Sequence, residues 1–178
     1  DGIYAELREG IKLRDQLVKQ LIVIDGRIQN HIQRYFPEFH DVFKDWEGKT
    51  ARYTLRVFPF PADLRDMTPE EVLEQWKTVI KRGVGIKRAT QLVEKARKSV
   101  GIEVGLRFAR KEIHSLLDQY ELYQSQLTEL DQEITEVMKD IPGAQEMMKI
   151  KGLGPITVAT FFSEVGDLTK YDHPQQLV

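Results

Sequence analysis

From Ile113 onward the residues Ile113, Leu116, Tyr120, Tyr123, Leu127, Leu130, Ile134 and Val137 alternate spacings of three and four without a miss. That period belongs to an α-helix, and its strictness marks a seam made for another helix. A looser stripe of Leu7, Leu17, Leu21, Ile24, Ile28 and Tyr35 runs through the first segment, widened by Val18 and Ile22. At 1.5 Å per residue each helix would be roughly 50 Å long, so the two can pair antiparallel along their length. The alternative is a helical-bundle core with the same period. The expected fold is therefore all-α. Residues 1–35 form a first coiled-coil helix, 36–100 a helical cap insert, and 101–140 a second coiled-coil helix. A helix-hairpin-helix-like element follows in 141–178. A two-helix hairpin covers little of the surface around Val18 and Ile22, so Ile113, Tyr120, Leu127, Leu130, Ile134 and Val137 are expected to hold a homodimer or homotetramer together.

Punctuation within the cap is clear. Pro59 and Pro61 interrupt one helix, and Thr68-Pro69-Glu70-Glu71 is a capping box with proline at the first helical position, starting a helix through about Arg82. Phe36, Phe39, Phe43 and Trp46 recur at helical spacing with no interleaved Lys or Arg, which points to core and away from a base-stacking platform.

Charge is segregated further on. Between Lys77 and Lys111 eleven Lys and Arg face only Glu94 and Glu103, whereas Glu112 to Asp140 holds eight acids and the single cation Lys139. The formal net charge of −2 hides this. Within the basic block lies Gly83-Val84-Gly85-Ile86-Lys87-Arg88-Ala89. A second glycine turn, Gly152-Leu153-Gly154-Pro155, follows Lys149 and Lys151. Glycines permit tight turns and close ligand approach, Pro155 pre-sets the next helix, and exposed N–H groups at a helix start attract anions. Both turns have helix-hairpin-helix spacing, which grips nucleic-acid backbone. The small residue expected four after the second glycine is Ala89 in one and Val158, followed by Ala159, in the other. The nucleic-acid-binding set is then Lys81, Arg82, Gly83, Gly85, Lys87, Arg88, Lys95, Arg97, Lys98, Lys149, Lys151, Gly152, Gly154 and Thr157. A solvated basic face balanced by the acidic helix after it is the competing explanation.

No catalytic constellation is visible. His31, His40, His114 and His173 are scattered, Asp63, Asp66, Glu70 and Glu71 suit loops and helix starts, and Ser99, Ser115, Ser125 and Ser163 have no partner base. The chain has no cysteine, which excludes disulfides and thiolate metal sites and favours a reducing compartment. Its apolar runs are too short for a membrane span and it opens without a basic-then-apolar leader, so a cytoplasmic location without a membrane partner is expected. Asp1 is no initiator, and Asp172-His173-Pro174 would start a helix just before the end, as in an excised fragment.

The wording of the last segment adds to this. Pro142-Gly143, Gly152-Leu153-Gly154-Pro155-Ile156-Thr157, Glu164-Val165-Gly166-Asp167, Tyr171 and Pro174-Gln175-Gln176-Leu177 closely resemble the opening of the C-terminal transposase domain in insertion-sequence transposases of the IS-one-ten family. The resemblance is specific over about 40 residues. It implies a parent enzyme with a RuvC-like domain whose four acids bind Mg²⁺ and a serine nucleophile beyond this segment. It also implies DNA recombination directed by a structured guide RNA, in dimers and tetramers. None of those catalytic positions maps onto this chain, which would be a central fragment without its own cofactor. A stand-alone helix-hairpin-helix protein of repair or recombination, or a structural coiled-coil adaptor, are the other possibilities.

Overall fold

A computed structural model of the chain describes residues 2–170. Tyr171 and the Pro174 to Leu177 motif, with the helix start at Asp172 to Pro174, lie outside the described residues. Every described regular element is helical: α1 Gly2–Tyr35, α2 Phe39–Val42, α3 Lys49–Val57, α4 Pro61–Leu64, α5 Pro69–Lys77, α6 Ile86–Arg97, α7 Leu106–Met138, α8 Ala144–Met148, α9 Pro155–Val165, and a closing 3-10 turn, Leu168–Lys170. The class is all-α. No described helix is long and apolar enough to cross a membrane.

The chain divides into two compact units that cut through both long helices. One comprises the residues up to Ile22 with those from Glu121 onward, the other Val23–Tyr120. In the first, Tyr4, Leu7 and Ile11 of α1 share a core with Ile134 and Met138 of α7, Ile141, Ala144 of α8, and Val158, Ala159 and Phe162 of α9. A Cβ on Gly10 would lie 3.2 Å from Ile134, and Arg14 pairs with Asp131 at 2.7 Å. Along these stretches α1 and α7 therefore run antiparallel.

The second unit is built on aromatics. Phe36, Phe39, Phe43, Trp46 and Trp76 are buried, as core and not as a platform. The indoles keep their N–H groups satisfied: Trp46 donates to Asp25 at 2.7 Å and Trp76 to Thr54 Oγ1 at 2.9 Å. Thr68 caps α5 reciprocally with Glu71, the two bonds each 3.2 Å long. The helix ends at Lys77, however, and not near Arg82. The amides of Thr78 and Val79 turn back to Gln75 and Trp76 in three-residue steps, the Thr78 hydroxyl takes the Gln75 carbonyl at 2.6 Å, and buried Ile80 pulls the chain inward. After α6 the chain passes so close to the end of α1 that a Cβ on Gly101 would lie 2.1 Å from the Tyr35 carbonyl oxygen.

Candidate nucleic-acid interface

The turn from α5 to α6 departs from ordinary backbone only at Gly83, whose φ of +79° favours glycine. Gly85 differs. It is extended, and a Cβ there would meet nothing within 4 Å, so neither conformation nor packing demands a glycine. What its missing side chain leaves is open access to the first amides of α6. Ala89, four residues on, is fully buried, and α6 packs on α5 as well as on α4 and α2.

The basic block is sorted by this geometry. Lys95 pairs with Asp41 at 3.3 Å, Arg97 donates to the carbonyls of Arg65 and Met67, and the Arg88 guanidinium lies 5.4 Å from the centre of the Phe43 ring. Those three serve the fold. Lys81, Arg82, Lys87 and Lys98 are exposed and make no ion pair among the described residues. No described pair joins residues 81–98 to the acids of α7. Asp118 pairs with Arg56, Asp131 with Arg14 and Glu136 with Lys139.

The second turn repeats the logic on a shorter first helix. Gly152 has a φ of +92°. Gly154 is the extended N-cap of α9, with open space where a Cβ would stand, and Pro155 follows at the first helical position. Val158 and Ala159 are both buried in the core of the first unit. Other residues of this segment have structural duties. Gly166 ends α9 at a φ of +71°, and Asp167 Oδ1 accepts from the amide and hydroxyl of Thr169 at 2.9 and 2.7 Å, which hold its carboxyl below the usual range. Lys149, Lys151 and Thr157 are exposed and have no such duty. Thr157 stands on the first turn of α9, where the amides lack helical acceptors.

Of the seam residues, Ile113, Tyr120 and Ile134 are buried within their own units, while Leu127, Leu130 and Val137 are half-buried. Two of the histidines do structural work. His31 Nε2 donates to the Ala109 carbonyl at 2.9 Å and His114 Nε2 to that of Arg56 at 2.7 Å. Burial holds the His31 imidazole below its usual value, against the opposing influence of that carbonyl and of Glu112. His173 lies outside the described residues. Among the described residues no three His, Asp or Glu side chains converge as metal ligands. Asp63 caps α4 and pairs with Arg110, and Glu71 caps α5. These carboxylates are not gathered into a set that would hold the Mg²⁺ implied by the resemblance.

Sequence periodicity passed over Arg27, Arg34 and Phe108. Its one available signal was the seven-residue spacing of the two arginines on α1, and nothing local separates an exposed Phe108 from the core aromatics.

Residues 144–178 match the family model described as Transposase IS116/IS110/IS902 family. Over that segment the chain is similar to these transposases, and residues 1–143 lie outside the match. The match begins at α8 and contains the Gly152 to Pro155 turn and all of α9. Among curated proteins nothing matches the chain.

Proposed function

We propose that this chain serves DNA transposition by holding nucleic-acid backbone at its two glycine turns, with a structured guide RNA as a partner beside DNA. One observation carries the reading: within the segment similar to transposases, Lys149, Lys151 and Thr157 stand exposed around a Gly154-capped helix start where, among the described residues, nothing lies within 4 Å of the place a Gly154 Cβ would take. The α5–α6 turn presents a similar arrangement with Lys81 and Lys87. Phosphate oxygens accept from backbone amides and lysines without base identity entering, so binding should be tight at low salt and indifferent to sequence.

Affinity for duplex DNA should fall with salt at a logarithmic slope of about −0.9 per neutralised phosphate. Charge reversal at Lys81, Lys87 and Lys98 should flatten that slope without touching the residues that pair within the fold. Reversal at Lys149 and Lys151 tests the other turn. Binding that keeps its full slope in both variants would overturn the proposal, and no retention at low salt would leave the structural adaptor.

The same reading includes self-association. Leu130 and Val137 line a largely apolar groove of about 420 Å³ on the first unit together with Leu13, which is 48% exposed, and with Glu6, Glu9 and Glu133. Sedimentation should give a dimer or larger, shifted towards monomer by Leu13→Asp. A monomeric parent chain at tens of micromolar would remove this part.

A further inference from the structure

We infer that a groove in the second unit stacks an unpaired base of single-stranded nucleic acid, with Phe108 as the stacking face. The inference rests on the backbone-holding role proposed above and adds a second kind of contact to it. One wall is the α1 face Arg27, Asn30, His31, Arg34 and Tyr35, the other Gly105 just before α7 with Phe108, Ala109 and Glu112 on it, and together they enclose about 390 Å³.

Phe108 is 69% exposed, although an aromatic ring on a helix ordinarily finds cover. The Arg107 guanidinium sits 5.5 Å from its ring centre, and Arg34 stands 5.4 Å from the ring centre of Tyr35. Arginine beside an accessible aromatic ring suits a base and its phosphate together. Arg27 and Arg34 are exposed and have no carboxylate partner among the described residues. Arg107 occupies the first turn of α7, where the helix dipole disfavours a cation, so its positive charge has a cost that an arriving polyanion offsets. Glu112 and Asn30 offer an acceptor and an amide to a base edge.

The setting is also held still. Glu38 accepts from the Ser99 hydroxyl at 2.5 Å and the Val100 amide at 3.0 Å, and the Ile102 amide donates to the Arg34 carbonyl at 3.0 Å. The segment leading into Gly105 and the groove is thus pinned to the end of α1. Charge decides between occupants. Arg27, Arg34 and Arg107 at the groove suit a polyanion, and the accessible face of Phe108 favours one that also brings a base over the acidic stretch Glu112 to Asp140 of a second copy.

The test compares a short oligothymidylate with an abasic oligomer of the same length, which keeps the phosphates and lacks the bases. The full chain should bind the oligothymidylate about five- to a hundredfold more tightly, the range expected for one stacked base. Phe108→Ala should abolish that preference while leaving abasic binding unchanged, and Phe108→Tyr should keep it. Equal binding of both oligomers by the parent chain would overturn the stacking site and leave the backbone reading standing. Binding of neither would remove both. Loss of self-association in Phe108→Ala, with the preference intact, would assign the groove to a second copy instead.

Discussion

Replacing Phe162 by alanine is expected to cost the first unit about 3–5 kcal/mol, the usual penalty for truncating a fully buried aromatic. The ring is 0% exposed. It meets Phe161 edge-on at 5.2 Å between centres and stands in one core with Tyr4, Leu7 and Ile11 from the other end of the sequence. Removing it leaves a cavity that the turns of three helices must collapse to fill, and tightly packed side chains do this only in part. Urea denaturation followed by circular dichroism gives the value. Phe161→Ala, at a half-buried position, should cost clearly less. If the two substitutions cost the same, or Phe162→Ala costs under about 1 kcal/mol, then α9 does not share the core of α1 and α7. Such a result would also detach the Gly152 to Pro155 turn from its support, because Val158 and Ala159 anchor it through the same cluster.

The residues that made this fold legible are those whose information is local. Three-four spacing dictates helix wherever it persists, and Thr68 with Glu71 specifies a helix start because both partners of the cap lie within one turn. Depth is another matter. The stripe from Ile113 to Val137 is regular, yet Ile113 is fully buried and Leu127 half-buried, because what covers a helix face comes from distant segments. Leu117 and Met138, outside the strict seam, are fully buried for the same reason.

Charge illustrates the limit more sharply. Lys87, Lys95 and Arg97 are equivalent in a count. In the structure one is exposed without an ion pair among the described residues, one faces Asp41 and one serves two carbonyls, and the partners of the last two are tens of positions away. The glycine turns were legible as turns. That Gly85 and Gly154 have no steric or conformational need to be glycine was not, since only the surrounding atoms tell an obligatory glycine from a permissive one.

Gly101 and Gly26 should respond in opposite directions to the same added methyl. Gly26 lies within α1, with nothing within 4 Å of a Cβ, so Gly26→Ala should stabilise by about 0.5–1 kcal/mol through the entropy of the unfolded chain. At Gly101 the methyl would fall 2.1 Å from the Tyr35 carbonyl oxygen and 2.6 Å from its carbon. Both are backbone atoms at the end of a long helix and cannot swing aside as a flexible side chain would. The segment 99–102 must retreat instead, breaking the bond from the Ile102 amide to the Arg34 carbonyl and straining those from Ser99 and Val100 to Glu38. A loss of about 1–3 kcal/mol is expected, the range for overpacking at a site that cannot relax. Hydrogen exchange at the Ile102 amide should accelerate in Gly101→Ala and stay unchanged in Gly26→Ala. Should Gly101→Ala match the parent in stability and exchange, the close approach of this segment to α1 is wrong, and with it the pinned setting of the Phe108 groove.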